Sequence, residues 1–325
     1  MSVPSTPHDA LFRALVDDVG RAGILIREYL PPDLAALLTD VPPTLLDGTF
    51  VDEDLRDSQS DRLFEVALRD GRPVLLYVLL EHKSAPDPRT PLQLLGYMVR
   101  IWDRYAGRDA AKLAALPPII PLVFYHGRRP WTVPTSVLEC VDADDQVLAY
   151  VRDLRYVLRD LGPIDYERLS RERALRAGLG ALKYAFAKGV APEVLERVLR
   201  DLPDGDALEI QVLVYIARVY DTTAETLTSA VARAKPGREG ELMPTVAQEW
   251  IKQGKAEGRA EGKAEGRVEA LLGSILDVLE ARFGSVDDAV RTRLLKLSEE
   301  DLRPLIKQAA TASSPDAIFD NVPRH

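Results

Sequence analysis

A predicted β-hairpin restricts the fold of this chain more than any other feature of its sequence. Two apolar runs, "LFEVA" and "VLLYVLL", lie on either side of Asp70-Gly71. Asp-Gly between two apolar runs is typical of a hairpin turn. A loop of residues 69–71 puts Gly71 where the left-handed conformation is favoured, and it pairs Leu68 with Arg72. The sequence therefore predicts two antiparallel strands, the second of them buried.

The second strand runs directly into three polar residues, Glu81, His82 and Lys83. Side chains alternate along a strand, so Glu81 and Lys83 are predicted on one face and His82 on the other. The three-residue loop pairs Asp61 with Leu79, which places Asp61 diagonal to Glu81 on the same face. A two-residue loop would put these carboxylates on opposite faces. We favour the three-residue loop, although the sequence alone leaves both open.

Two carboxylates and a lysine on one face have a direct chemical use. Asp61 and Glu81 supply the oxygen ligands that Mg²⁺ prefers, and a phosphate and water complete its shell. Such a metal lowers the pKa of a bound water and neutralises charge on a phosphate, while Lys83 stabilises that charge or positions the water. This pattern indicates a metal-dependent phosphodiesterase. The competing interpretation is a structural ion pair at a strand end, which is common in charged proteins.

The segment after the hairpin predicts an amphipathic helix with a polar row. Gln93, Tyr97, Arg100 and Arg104 follow one another at spacings of four, three and four. Arginines in such a row can contact a DNA backbone, although a solvated helix face is the usual interpretation of a charged row. The opposite, apolar face is predicted from Leu95, Met98, Val99 and Trp102.

The remaining pattern predicts an α/β unit followed by helices. Residues 8–30 have apolar spacing typical of one helix, with Pro7 before it and Asp9 able to cap it. Short strands are predicted within 49–54, 117–127 and 154–161. The chain turns helical after Asp165, with a linker at 234–244. Helices therefore cover a mixed sheet in roughly the first half of the chain.

Composition limits the classes of protein to which the chain can belong. The formal net charge is -9, so binding to a nucleic acid requires a local basic groove. A single cysteine, Cys140, excludes an intramolecular disulfide framework and fits a reducing cytosol. We find no secretory leader pattern and no apolar run long enough to span a membrane. The expectation is a cytoplasmic protein.

Four further residues have both a functional and a structural interpretation. Asp9 could help to bind a metal if its helix lies over the site, but a helix cap is the favoured interpretation. Arg128 and Arg129 follow a predicted strand and could contact DNA, together with His126. A buried, hydrogen-bonded histidine is the more common outcome for His126.

A four-residue repeat, "GKAEGRAEGKAEGRVE", carries Gly254, Gly258, Gly262 and Gly266. If the segment is helical, the glycines cost about 4 kcal/mol relative to alanine. Close approach of a second helix along the small residues could compensate for this cost, which suggests self-association. A flexible or partly helical linker is an equally good interpretation.

Six segments together resemble a known family, the Rpn recombination-promoting nucleases, which are also described as YhgA-like transposases. The resemblance covers residues 7–205. The segments are "PHDALF", "YLPPDLAALL", "GTFVDEDLRDSQSDRLFEV", "LLYVLLEHKSAPD", "PLQLLGYMVRIWDRY" and "LPPIIPLVFYHGRRPW". The resemblance implies membership of the PD-(D/E)xK nuclease superfamily, with its restriction-endonuclease-like α/β core.

The same resemblance implies roles for individual residues. Asp61 and Glu81 would be metal ligands, Lys83 the catalytic lysine, and the backbone carbonyl of His82 a further ligand. Gln93 and Tyr97 match the Q-x-x-x-Y motif found in part of the superfamily. Many members of the family carry Gln where Lys83 stands, so this chain is closer to the superfamily pattern. From Leu271 onward the chain resembles the DUF4351 module, whose function the resemblance does not imply.

The sequence therefore predicts a Mg²⁺-dependent DNA endonuclease of the α/β class, with Mn²⁺ able to substitute. Its parts are a nuclease domain at 7–205, a helical segment with the repeat at 206–268, and a small helical module at 269–325. Expected partners are DNA and a second copy bound through Gly254–Gly266. The competing prediction is a degenerate nuclease core that only binds DNA or protein.

Overall fold

The protein is described from a computed structural model that covers residues 6–46, 62–81, 86–107, 109–187 and 189–319. For residues 77–81 only the course of the backbone is described. The predicted strand around 49–54, Asp61, His82 and Lys83 lie outside the described residues.

A mixed five-stranded sheet forms the centre of the N-terminal part of the chain, in the order β1-β2-β3-β4-β5. The first three strands are antiparallel, and β3, β4 and β5 are parallel to one another. The strands are β1 (Thr44–Leu45), β2 (Arg62–Ala67), β3 (Pro73–Glu81), β4 (Ile119–Tyr125) and β5 (Val157–Asp160). The predicted strands within 117–127 and 154–161 are thereby confirmed.

Helices surround this sheet and make up the C-terminal half of the described chain. They are α1 (Pro7–Val16), α2 (Val19–Tyr29), α3 (Pro32–Ala35), α4 (Thr90–Ala106), α5 (Ala110–Leu113), α6 (Asp145–Leu148), α7 (Arg173–Tyr184), α8 (Pro192–Asp201), α9 (Ala207–Val219), α10 (Ala224–Ala234), α11 (Glu239–Phe283), α12 (Asp288–Leu294) and α13 (Glu299–Thr311). A mixed sheet flanked by helices, with a helical C-terminal extension, confirms the predicted nuclease-like α/β fold.

The hairpin has the predicted three-residue loop. Gly71 has φ +86°, its amide donates to the Leu68 carbonyl, and the Leu68 amide donates to the Arg72 carbonyl. The pairing along β2 and β3 runs from Ala67 opposite Pro73 to Arg62 opposite Val78. The turn residue that tolerates a positive φ therefore fixes the register.

The two faces of the sheet pack against different helices. Phe64 and Leu76 belong to a large core cluster with side chains of α1, α2, α7 and α9. Leu63 and Leu75, which alternate with them, belong to a second cluster with α4. Even-numbered positions of β2 and β3 thus face the first group of helices, and odd-numbered positions face α4.

The single helix predicted for residues 8–30 is in fact two helices, so this prediction was wrong. The Asp18 side chain accepts a hydrogen bond from the Arg21 amide and caps α2. Asp17 ends α1 and pairs with Arg62 of β2. Apolar spacing continues through both helices, so periodicity could not reveal a break made by capping and by a contact distant in sequence.

The predicted linker at 234–244 is confirmed only in part, because α10 reaches Ala234, α11 begins at Glu239, and only a short turn lies between them. Lys235 in the turn between them is buried and contacts Asp204 and the Leu202 carbonyl. The Lys235 ammonium also lies 3.3 Å from the carboxylate of Glu209, which is 2% exposed. The contacts of buried Lys235 therefore hold this turn in place, although charged residues in the sequence predict a loop.

The buried face of α4 differs from the predicted one. Met98 is buried as expected, but Leu94 and Ile101 accompany it in the core, while Val99 is 46% exposed. Leu95 and Trp102 are only partly buried. Apolar side chains occupy two faces of this helix, and only packing against the sheet decides which of them is covered.

The chain divides into two compact units, residues 1–250 and 251–325. The second unit has its own core, which includes Ile275, Leu279, Leu294, Leu302 and Leu305. Among the residues that the structure describes, no helix is sufficiently long and apolar to cross a membrane.

Candidate active site

The candidate site lies where the hairpin strand β3 ends. Glu81 is the last residue of β3 and pairs with Tyr125, the last residue of β4, in parallel register. The carboxyl ends of the two central strands therefore meet at one edge of the sheet. Asp61, His82 and Lys83 lie outside the described residues, so the predicted ligand set is not tested. Within the described ranges, no three His, Cys, Asp or Glu residues form a group able to hold a metal ion.

The N-terminal end of β2 is anchored by an ion pair that the sequence did not reveal. Arg62 Nε lies 2.6 Å from Asp17 Oδ1, and a terminal guanidinium nitrogen of Arg62 lies 3.3 Å from Asp17 Oδ2. Bidentate arginine–carboxylate contacts restrict geometry as well as adding energy. This pair holds the residue that directly follows Asp61. A contact across 45 residues has no local signal in the sequence.

The predicted supporting residues of α4 lie on the helix that covers the odd face of the sheet. Tyr97 packs partly buried against the cluster that contains Leu63 and Leu75. Gln93 is exposed one turn earlier in the helix. Glu81 occupies an odd position of β3, as Leu75 does, so the backbone places position 81 on the side of the sheet that α4 covers.

Asp9 belongs to the opposite side of the sheet, because α1 packs in the cluster of the even face. It is 4% exposed, and its Oδ2 accepts hydrogen bonds from the Thr6 amide at 3.1 Å and the Thr6 hydroxyl at 2.9 Å. The Asp9 amide donates in turn to Thr6 Oγ1. Asp9 is therefore the third residue of a capping box whose cap is Thr6.

A cluster of histidine and aromatic rings lies beside the end of β4. The ring of His126 is 5.0 Å from that of His8 and stacks on Phe186 at 5.3 Å. His126 is 2% exposed, and its Nδ1 lies 3.0 Å from the Leu182 carbonyl oxygen. A buried, hydrogen-bonded histidine is thus what the structure shows at this position.

His8 also forms a hydrogen bond with the Tyr215 hydroxyl, at 2.8 Å from Nδ1. Burial raises the pKa of Tyr215 well above its ordinary value, so this hydroxyl stays protonated at neutral pH. The contact connects the start of α1 with α9. No local pattern in the sequence predicts this contact, because the two residues are 207 positions apart.

The four arginines predicted to bind DNA are all exposed. Arg100 and Arg104 lie on α4, and Arg128 and Arg129 lie in the segment that leaves β4. The Arg128 guanidinium lies over the Phe186 ring, 5.4 Å from its centroid. The Arg129 carbonyl accepts a hydrogen bond from the Tyr125 hydroxyl at 2.7 Å. Arg128 and Arg129 therefore lie close to the strand end that adjoins Glu81.

The known proteins that the chain resembles belong to one family. A family model described as "Putative transposase, YhgA-like" matches residues 6–224. The chain is 37% identical to the recombination-promoting nuclease RpnD of Escherichia coli O157:H7 over 132 residues, which are 40% of this chain and 50% of that protein. The chain therefore spans half the length of this relative.

Two further relatives are matched over most of their length. The recombination-promoting nuclease RpnA of Escherichia coli K12 is 26% identical over 77% of this chain and 85% of its own. RpnE of the same strain is 23% identical over 78% of this chain and 84% of its own, and is named an inactive recombination-promoting nuclease-like protein. No solved structure matches the chain.

Proposed function

Since the chain belongs to the family of YhgA-like proteins, we propose that it is a metal-dependent DNA endonuclease whose active site lies at the end of the β2–β3 hairpin. The observation that carries this proposal is the hairpin register, with Arg62 opposite Val78 and Glu81 at the end of a central strand. The names of RpnD and RpnA as recombination-promoting nucleases support a nuclease role in recombination.

The proposed site extends the observed register by one residue. Asp61 then pairs with Leu79, lies diagonal to Glu81, and shares the face that α4 covers. Lys83, two residues beyond Glu81, is proposed for the same face. The Arg62–Asp17 contact supports this arrangement, because it holds the chain directly beside Asp61.

The proposed donor set fits Mg²⁺ in its chemistry. Asp61 and Glu81 offer carboxylate oxygens and His82 a backbone carbonyl oxygen, which are the hard ligands that Mg²⁺ prefers and Mn²⁺ accepts. When bound, the metal supplies a water of lowered pKa and neutralises charge on the scissile phosphate. Lys83 is proposed to orient the attacking water or to stabilise the phosphate charge.

DNA contacts are proposed for the two pairs of exposed arginines. Arg100 and Arg104 would bind backbone phosphates along α4, and Arg128 and Arg129 would do so beside the end of β4. Gln93 and Tyr97 are proposed to support the site from α4. We propose for Asp9 a supporting role through the position of α1, consistent with its capping box.

A second candidate function is DNA or protein binding by a degenerate nuclease core. The observation that favours it is that a relative of similar coverage, RpnE, is named inactive. The presence of Asp61, Glu81 and Lys83 together favours the enzyme.

Plasmid nicking tests the proposal. Purified protein is incubated with supercoiled DNA and Mg²⁺ or Mn²⁺, beside Asp61→Ala, Glu81→Ala and the control Glu65→Ala. Glu65 is an exposed carboxylate of the same hairpin, in the middle of β2. We expect metal-dependent cleavage by the wild-type protein and by Glu65→Ala. In Asp61→Ala and Glu81→Ala the cleavage rate should fall at least 100-fold, because each change removes a proposed metal ligand and the loss of one transition-state stabilising group costs about 10²–10³ in rate.

The outcomes separate the two functions. Equal cleavage by all four proteins would contradict the assignment of the site. Absence of cleavage, with DNA retained in a gel shift by the wild-type protein and Glu81→Ala alike, would favour the binding module. Thermal stabilisation by Mn²⁺ that disappears in Asp61→Ala would support a metal site without relying on activity.

We also propose cytoplasmic action and self-association through the repeat. The segment from Gly254 to Gly266 lies within helix α11, and an added Cβ at each of its four glycines would meet no atom within 4 Å. This open row leaves room for a second helix. Light scattering on the full chain with Gly258→Gln and Gly262→Gln tests the proposal, and an unchanged mass would contradict it.

A further inference from the structure

The outer face of α4 carries an apolar seam that the described part of the chain leaves partly exposed, although Trp102 at one end also packs against the cluster beneath the helix. Leu92, Leu95, Val99 and Trp102 follow one another at spacings of three, four and three, which is the a/d pattern of two heptads. Leu92 is 60% exposed and Val99 is 46% exposed, while Leu95 and Trp102 are partly buried. The core side of the same helix is already filled by Leu94, Met98 and Ile101.

The apolar surface continues beyond the helix. The Trp102 indole nitrogen donates to the Pro117 carbonyl at 2.7 Å, which holds the segment after α5 against this end of α4. Leu113 at the end of α5 is 55% exposed, and Leu116 in that segment is 37% exposed. A heptad seam with further large apolar side chains at one end is typical of a surface that another helix covers.

Gly96 lies beside the seam, about midway along it. An added Cβ there would meet no atom within 4 Å, so the backbone of α4 is open to close approach at this point. Arg89 and Asp103 are each seven residues from Gly96, one on either side, and seven residues are two helical turns. Both are exposed, and within the described part of the chain neither side chain forms an ion pair.

Two copies of this face of α4 are complementary to each other when the two helices run antiparallel. A two-fold axis at Gly96 brings Arg89 of one chain opposite the partner's Asp103, and the reverse pair forms on the other side of the axis. The apolar layers are centred one residue further along the helix, with Leu95 beside the partner's Val99 and Leu92 beside the partner's Trp102. These are the layers of an antiparallel helix pair, and a contact with two-fold symmetry uses one patch twice.

We propose that α4 is a self-association surface, through which two copies of this chain pair with their α4 helices antiparallel across Gly96. Self-complementary charge selects a second copy over a different protein as the occupant. The proposal does not depend on the nuclease assignment. Arg100 and Arg104 lie to one side of the seam and stay available to other ligands.

The dimer is expected to be weak. Standard stable interfaces bury about 1,600 Å² in total, and a seam of two heptads with Leu113 and Leu116 at each end is smaller. We therefore expect the mass of the full chain, measured by sedimentation equilibrium, to rise from monomer to dimer over micromolar concentrations. If the apolar layers outweigh the two ion pairs, cooling should weaken the pairing more than high salt does.

Charge exchange tests the register. Arg89→Asp alone and Asp103→Arg alone place like charges opposite each other, and each should weaken association at least tenfold. The double variant restores opposite charges and should recover association to within about threefold of wild type. Val99→Glu should abolish association, and because Val99 is exposed the monomer should keep its fold. Failure of the double variant to recover would overturn the proposed register.

Disulfide capture locates the contact independently of other associations, including any through the repeat. In a Cys140→Ser background, Gly96→Cys should form a covalent dimer under mild oxidation, because two copies of residue 96 meet at the axis. Glu65→Cys, an exposed position outside α4, is the control. Equal capture at both positions, or a wild-type chain that stays monomeric at every concentration, would overturn the proposal and leave the seam to a different protein.

Discussion

Gly127 follows His126 at the end of β4, and a larger residue does not fit there. An added Cβ would lie 2.1 Å from the Tyr125 hydroxyl oxygen and 2.3 Å from Cζ of the same ring. Tyr125 is fully buried, donates to the Arg129 carbonyl and packs edge-on against Trp131. Because the ring is held on these sides, it cannot move away from a new methyl group.

We therefore expect Gly127→Ala to lower the free energy of unfolding by about 1–3 kcal/mol, the usual cost of overpacking. Urea unfolding measures the effect. Gly273→Ala is the control, because its helical position has no atom within 4 Å of an added Cβ. That change should be neutral or stabilise by up to about 1 kcal/mol. A Gly127→Ala protein as stable as wild type would show that Tyr125 is less constrained than its contacts indicate.

Asp201 illustrates a pH-dependent contribution to stability. Burial raises the pKa of this carboxyl, but hydrogen bonds from Arg176 and Tyr166 outweigh burial, and the net pKa is lowered. Arg176 contacts both carboxylate oxygens, at 2.6 and 3.0 Å. A carboxyl group whose pKa is lowered by folding stabilises the protein at pH values above its pKa in the unfolded state. This stabilisation is lost as the pH falls through its pKa in the folded state.

We expect Asp201→Asn to cost about 2 kcal/mol at neutral pH, the range for hydrogen bonds to a charged group. The difference from wild type should shrink as the pH falls below the unfolded carboxyl pKa of about 3.9. Urea unfolding of both proteins at several pH values measures it. A constant difference across that range would mean that the carboxylate charge contributes little.

At the scale of elements, the turn between α10 and α11 depends on a buried group of charges. Lys235 is 8% exposed, and Glu209 of α9 also accepts hydrogen bonds from Arg238 at 2.7 and 2.9 Å. Removal of one partner leaves buried charge less well compensated. These contacts fix where α11 begins, although the local sequence reads as a linker.

Lys235→Ala is therefore expected to lower the free energy of unfolding by about 3 kcal/mol. Lys296→Ala, at an exposed lysine, should change it by less than about 0.5 kcal/mol. Urea unfolding followed by circular dichroism distinguishes the two. Equal, small effects would show that the buried lysine contributes no more than a surface residue.

Elements with a strong local pattern were predictable. The hairpin follows from Asp70-Gly71 and the flanking apolar runs, and β4 and β5 follow from short apolar segments. The three-residue loop was favoured, but only the structure decided between it and a two-residue loop. The break between α1 and α2 was not predictable, since apolar spacing continues across it. In the candidate site, the position of Glu81 at a strand end was predictable, whereas the Arg62–Asp17 and His8–Tyr215 contacts join residues far apart in sequence.

At the scale of the whole molecule, the two compact units have separate cores. Residues 251–325 contain their own cluster of buried side chains, which includes Ile275, Leu294 and Leu302. A unit with its own core can fold alone. We expect a fragment of residues 251–325 to unfold cooperatively on heating, as circular dichroism would measure.

Two neighbouring leucines provide a matched control for that fragment. Leu294 is fully buried and Leu295 is 71% exposed. Leu294→Asp should abolish the cooperative transition, because it places an unpaired charge in the core. Leu295→Asp should leave the transition in place. A fragment without a transition, or one that responds equally to both changes, would contradict an independent core.

The sequence by itself determined the α/β class, the presence of the hairpin, and the place of Glu81 at the end of a buried strand. Each of these depends on residues close together in the chain, where turn chemistry and alternation decide the outcome. The tertiary structure alone decided which face of α4 is buried. Leu94, Met98 and Ile101 form one apolar face, and Leu92, Leu95, Val99 and Trp102 form another. Hydrophobicity does not distinguish the two faces, and only the shape of the sheet surface selects the first.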